Sequence, residues 1–169
     1  QYFVRPGEEK QWFEHWKSIR VKWYKALGID ENMFRLHEHD KLAHYANAAY
    51  DIEFKFPFGF KELEGIHSRT DFDLSQHQEF TGKKIQYYDP ELDKSYVPYV
   101  VETSIGLDRM FLAILTAAYH EEEVPKDTGK SEERVVLKLP PALAPVQMAV
   151  LPLVRKDGLP EKAREIIDR

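Results

Sequence analysis

The sequence predicts an α+β fold, a largely antiparallel sheet with helices packed on one face, followed by the start of a smaller α/β unit. Three observations lead there. Strand-like runs with β-branched and aromatic residues are joined by short Gly and Pro turns. Two stretches instead repeat apolar residues at the 3-and-4 spacing of one helix face. A break at Pro140-Pro141-Ala142-Leu143-Ala144-Pro145 then sets off a final strand–helix pair, giving expected domains at 1–139 and 140–169.

Residues 1–4 read as a strand end, closed by Arg5-Pro6-Gly7. A long amphipathic helix follows, with Trp12, Trp16, Ile19, Trp23 and Leu27 on one face and Gly28 as its stop. Its Lys and Arg residues read as a solvated face. Residues 33–37 form a short strand candidate, and Asp40 is expected to cap a helix through Tyr50, with Leu42, Tyr45, Ala46 and Ala49 inward. Residues 51–58 alternate, placing Ile52, Phe54, Phe56 and Phe58 opposite Asp51, Glu53 and Lys55. Pro57 and Gly59 end that run, and residues 60–66 begin another strand. Residues 71–80 read as a short helix stopped by Gly82, and residues 85–88 and 96–101 as a hairpin around Asp89-Pro90-Glu91.

The fold is organised around residues 97–115. Val97-Pro98-Tyr99-Val100-Val101 reads as a buried strand, which turns polar at Glu102-Thr103-Ser104 and reaches Gly106. From Leu107 the apolar positions Met110, Phe111, Ile114 and Ala118 share one helix face. Arg109 lies about 200° around from Leu107, off that face. Beyond it, residues 121–133 are charged and aperiodic and read as an exposed loop. Residues 134–139 read as a strand, residues 146–151 as a buried strand, and residues 160–167 as a helix.

Composition narrows the function classes. A length of 169 residues fits one domain, or one and part of another. With 43% hydrophobic and 13% aromatic residues, a packed core is expected. The absence of Cys excludes disulfides and thiolate metal sites and suits a reducing, cytoplasmic compartment. No apolar run reaches membrane-spanning length. A formal net charge of -5 argues against a globally basic nucleic-acid binder, but an RNA enzyme needs only a local basic patch. The chain begins mid-strand at Gln1, so a piece of something longer is expected.

A strand end bearing a carboxylate and a hydroxyl, followed by a guanidinium at a helix start, places an ammonium reader beside a phosphate reader. The plainer alternative is a strand–helix junction with surface charges. His37, His39 and His44 are the one histidine cluster; with no Cys and no matching carboxylate spacing, a metal site there is disfavoured. There is no P-loop or dinucleotide-type Gly-rich loop.

Glu102 to Arg109, ETSIGLDR followed by an apolar helix, resembles the third signature motif of class II aminoacyl-tRNA synthetases. Together with Glu62-Leu63-Glu64-Gly65-Ile66 and Arg69-Thr70-Asp71-Phe72-Asp73-Leu74, it resembles the glycyl-tRNA synthetase family over essentially the whole chain. The resemblance implies a class II catalytic domain entered at the end of its second motif, then the first strand and helix of an anticodon-binding domain. It implies ATP and Mg²⁺, the partners glycine and tRNA(Gly), and a homodimeric parent protein. By the same resemblance, Arg109 holds the ATP γ-phosphate, and Gly106, Leu107 and Asp108 line the nucleotide. Glu62 and Leu63 form the nucleotide-contacting pair, with Glu62 toward Mg²⁺. Glu102, Thr103, Ser104, Ile105 and Gly106 surround glycine, with Glu102 on its ammonium. Gly65 permits close approach, Arg69 is a weaker candidate for a substrate carboxylate or phosphate, and the role of Glu64 stays open. Two alternatives remain: a synthetase-like module that binds tRNA or protein without catalysis, and a class II synthetase for another small amino acid.

Overall fold

The computed structural model describes residues 1–126 and 129–168. The chain divides into two units, Gln1–Lys138 and Leu139–Arg169. The first comprises β1 (Tyr2–Val4), α1 (Glu9–Ala26), a 3-10 turn (Glu31–Met33), β2 (Phe34–Glu38), β3 (Ala48–Phe56), β4 (Gly59–Thr70), α2 (Phe72–Thr81), β5 (Tyr87–Asp89), β6 (Lys94–Tyr96), β7 (Tyr99–Ile105), α3 (Leu107–Ala118), β8 (Tyr119–Pro125) and β9 (Ser131–Leu137). The second contains α4 (Leu159–Ile167). The molecule is therefore α+β, as expected.

Five strands form one antiparallel sheet in the order β1-β7-β4-β3-β2. β5–β6 and β8–β9 are separate two-stranded hairpins. Arg5, just after β1, holds the β5–β6 hairpin through Asp89 (2.7 Å) and Glu91 (2.8 Å). The core lies between the sheet and α1 and α3: Phe13 and Tyr24 from α1, Met110 and Ala113 from α3, and Ile52, Phe54, Leu63, Ile66 and Val101 from the strands. With α1 and α3 on one face, the other is left to carry polar side chains.

Several elements differ from the sequence reading. The helix expected over 40–50 does not form; residues 40–47 are loop and Ala48–Phe56 is strand. Pairing with β2 and β4 outweighs the helix propensity of its alanines, and the loop is tied by Asn47 N–H donating to the Ser68 carbonyl (2.9 Å). The expected loop at 121–133 contains most of the β8–β9 hairpin, whose ladder runs from Tyr119↔Leu137 to Pro125↔Ser131. Its charges pair across the strands, Arg134 Nε to Glu122 Oε1 at 2.7 Å among them. Residues 127 and 128 of that expected loop lie outside the described residues.

The inward face of α1 is rotated by about one residue from the expected stripe, whereas α3 keeps Met110, Ile114 and Ala118 inward and turns out Leu107 and Phe111. α1 buries Phe13 and Tyr24, with Trp12, Trp16, Trp23 and Leu27 partly covered. α3 buries Met110, Ala113 and Ala118, while Leu107 and Phe111 stay 83% and 63% exposed. In the second unit, residues 146–151 form no strand and are largely exposed, Met148 and Leu151 each at 84%. A lone strand has no ladder partner for its N–H and C=O groups, and Pro145 and Pro152 bracket the segment. The helix expected over 160–167 forms as α4, entered through Gly158 at φ 72°.

Candidate active site

In an antiparallel ladder, directly opposed residues point to the same face and successive ones alternate. Glu102 opposes His67 and Ser104 opposes Gly65 across β7 and β4. Gly65 opposes Asp51 on β3, and Asp51 opposes His37 on β2. These residues therefore share the sheet face turned away from α1. Thr103, Val101 and Ile105 oppose Ile66, Ser68 and Glu64, on the helix-covered face. Thr103 and Ile105 thus send their side chains away from Glu102, and only their main chain borders its side of the sheet.

Glu102 accepts one hydrogen bond on each oxygen, from Arg69 Nη1 (3.1 Å) on Oε1 and from Gln1 Nε2 (3.1 Å) on Oε2. Arg69 is itself gripped by Asp73 through Nε (2.8 Å) and Nη2 (3.3 Å), and its guanidinium stands 4.2 Å over the Tyr45 ring. The Asp73 hydrogen bond pushes the Arg69 pKa still higher, and Glu102 adds to it against partial burial. Glu102, Arg69, Asp73, Gln1, Leu74, His77 and Val100 line an open cleft of about 290 Å³.

Gly65 makes room for its neighbour's ring. A Cβ there would come within 2.6 Å of His67 Cε1, because the His67 ring folds back over the Gly65 backbone. His67 is half-buried, and its Nδ1 has no hydrogen-bond partner among the described residues. Burial pushes its pKa below the ordinary value, with Glu102 and Asp51 pulling the other way and His39 and Arg69 reinforcing the drop.

Arg109 is exposed in the first turn of α3 and donates from Nη1 to the Glu62 carbonyl at 2.7 Å. That contact ties the helix start to β4. Leu63 beside it is buried in the core, whereas the Glu62 side chain is exposed and makes no hydrogen bond or ion pair among the described residues. Asp108 sits in the first turn of α3, where an acidic side chain suits the helix dipole. Gly106 precedes the helix at φ -82°, a conformation open to any residue.

Glu64, whose role the sequence leaves open, lies on the opposite face. It is fully buried, accepting from Arg20 Nε (2.5 Å), Arg20 Nη2 (3.1 Å) and Tyr24 OH (2.6 Å). It locks α1 to the sheet. The histidine cluster is redrawn: His44 packs against Phe72, while His39 neighbours both His37 and His67, and His39 Nε2 lies 2.8 Å from Asp51 Oδ2. No group of three His, Cys, Asp or Glu among the described residues is arranged to hold a metal. Sequence reasoning did not single out His67, Asp51 or a clamp by Asp73. Extending the strand begun at residue 60 to residue 69 would have put Gly65, His67 and Arg69 on one face.

No family model matches the chain. Its curated relatives are aminoacyl-tRNA ligases. More particularly, the chain is similar to the glycine--tRNA ligase of Chlorobaculum tepidum, 53% identical over 167 residues, covering 98% of this chain and 34% of that protein. It is 48% identical to the same ligase of Treponema denticola (98% and 38% covered) and of Staphylococcus haemolyticus (100% and 36% covered). The chain spans about a third of the length of these relatives and is similar to that segment of the glycine--tRNA ligases.

Proposed function

We propose that this segment forms part of the glycine- and ATP-binding site of a glycine--tRNA ligase of the class II type. The whole protein would activate glycine by in-line attack of its carboxylate on the ATP α-phosphate, then pass it to the 3′ end of tRNA(Gly). The observation that carries the reading is the junction of β7 and α3. It presents a partly open carboxylate, Glu102, and a hydroxyl, Ser104, on one sheet face, with Arg109 at the following helix start.

Each role is one the residue's chemistry can fill. Glu102 keeps acceptor capacity beside its two hydrogen bonds, enough to receive an ammonium. With Ser104 it would crowd the α-carbon, which suits an enzyme that must reject larger amino acids by shape. Arg109 spends one N–H on the Glu62 carbonyl and has others for a γ-phosphate. Glu62, exposed and unpaired among the described residues, is a donor of the kind Mg²⁺ takes together with substrate phosphates. The ion, when bound, would neutralise phosphate charge. Gly106, Leu107 and Asp108 would border the nucleotide, and Thr103 and Ile105 would offer main chain to glycine. Residues 140–169 would open the anticodon-binding domain, and the parent protein would be a cytoplasmic homodimer.

The test is ATP–pyrophosphate exchange by the full-length ligase with glycine, alanine, serine and proline supplied separately. Glycine alone should sustain exchange. Exchange driven by one of the others would reassign the substrate, and exchange with none would leave a binding module.

A further inference from the structure

We infer that Arg69 is a positioning residue that aims Glu102 at the substrate, and that Asp73 and Tyr45 hold it in that role. The inference rests on reading Glu102 as the ammonium receptor. It departs from the expectation that Arg69 itself meets a substrate carboxylate or phosphate.

The backbone sets up the arrangement first. β4 pairs Ser68 with Val101 and then Thr70 with Val100, so Arg69 is an extra residue with no partner on β7. Such a bulge re-aims the side chain it carries. Thr70 completes it at φ 57°, a left-handed conformation that a β-branched residue rarely adopts. The chain then enters α2, whose first turn delivers Asp73 four residues beyond Arg69. Bulge, turn and helix start together bring the two side chains into a fork.

Three of the five guanidinium N–H groups are committed. Nε and Nη2 bind Asp73, Nη1 binds Glu102, and one ring face is covered by Tyr45. One N–H on Nη1 and one on Nη2 are left over, so the double variant, not the donor count, separates positioning from direct contact with a substrate anion. Glu102, by contrast, gives one acceptor position to Arg69 on Oε1 and one to Gln1 on Oε2, so its rotamer is fixed while one lone pair on each oxygen stays available. Arg69 is the only cation bonded to Glu102 among the described residues. The cross-strand neighbour His67 does not compete, since burial favours its neutral form.

The experiment uses the full-length ligase, with separate glycine and ATP titrations of the exchange reaction and a melting curve. The variants are Arg69→Gln, Asp73→Asn, Glu102→Gln and the double variant Arg69→Gln/Glu102→Gln. Loss of one charge-assisted contact predicts a glycine KM raised about tenfold in Arg69→Gln, with ATP KM within about twofold of wild type. Asp73→Asn, which keeps the shape, should raise glycine KM in the same direction by about threefold. Because Arg69 acts through Glu102, the double variant should be no worse than Glu102→Gln alone. Full additivity would mean that Arg69 touches the substrate and would overturn the inference. Equal rises in both KM values with a lowered melt would make Arg69 structural and overturn it too. Should Arg69→Gln fail to fold, Asp73→Asn decides: no glycine-specific rise rejects the role. A silent Glu102→Gln would instead remove the ammonium-receptor reading beneath it. A damaging Glu102→Gln beside a silent Arg69→Gln would reject only the positioning role.

Discussion

Glu64 and Glu102 are carboxylates on adjacent strands and opposite faces of one sheet, and their surroundings could hardly differ more. Glu64 has a side chain 0% exposed and three hydrogen bonds from Arg20 and Tyr24. Glu102 has 18% of its side chain exposed and a single N–H from Arg69 beside a contact from Gln1. Burial and then the Glu64 carboxylate push the Tyr24 hydroxyl far above the ordinary phenol range, so Tyr24 remains a donor at any working pH. The difference shows what separates a structural acid from one able to take a ligand. A closed hydrogen-bond set has nothing left to offer, whereas a partly satisfied carboxylate at a cleft does.

The sharpest way to break the comparison is to unpair Glu64. Arg20→Met leaves a buried carboxylate with Tyr24 alone, and breaking a buried pair costs about 3–5 kcal/mol. Urea unfolding of the full-length protein should show a lower midpoint at unchanged slope, while glycine KM stays put. Arg20→Met with Glu64→Leu should recover much of the loss, because the charge goes with its partner. An unmoved midpoint in the single variant would show that Glu64 is not structural.

Arg109 comes next, on the open side of the comparison. Arg109→Ala should lower ATP-dependent exchange by about 2–4 kcal/mol, the usual worth of a charge-stabilising donor. Activity within a few-fold of wild type would return Arg109 to its observed role as a strap onto the Glu62 carbonyl. Glu102→Gln follows, keeping shape and reach but deleting charge. A charge-assisted bond is worth roughly 1.5–3 kcal/mol, so glycine binding should weaken about 10- to 100-fold with ATP binding little changed. A melt lowered by many degrees would move Glu102 into the class of Glu64.

What the sequence made legible follows the range of the interactions. The β7–α3 junction is local: a β-branched run, a polar step and a helical repeat state themselves within residues 97–115. Glu102, Ser104 and Arg109 could therefore be picked out without coordinates. The Glu64 pair spans 44 residues to Arg20 and 40 to Tyr24, and no periodicity announces it. Alternation could say only that Glu64 and Leu63 point different ways. The loss of the helix expected over 40–50 has the same origin at its end, since Ala48, Ala49 and Tyr50 pair with β4, brought in by the chain's later course. His67 was hidden by a strand boundary drawn too early, not by its chemistry.

The smallest expected effect belongs to His67, which stands across the ladder from Glu102 and tests how dry the open face is. Its ordinary pKa is 6.5, and burial lowers it in the folded protein. Glu102 on β7 and Asp51 on β3 favour the imidazolium, and His39 and Arg69 oppose it. With the folded value below the unfolded one, the unfolded chain binds more protons as pH falls below 6.5. Stability from His67 should therefore be complete above 6.5 and drain away as the pH passes down through the folded value. His67→Gln has no such proton to gain, so its melting temperature should fall less steeply between pH 7 and 5 than that of wild type. The comparison must be of slopes, because the substitution also disturbs the contact with Gly65. The opposite sign, a wild type that holds its stability in acid better than His67→Gln, would mean that Glu102 and Asp51 outweigh burial. His67 would then be a second cation beside Glu102, and the single-cation account of how Arg69 aims that carboxylate would have to be redrawn.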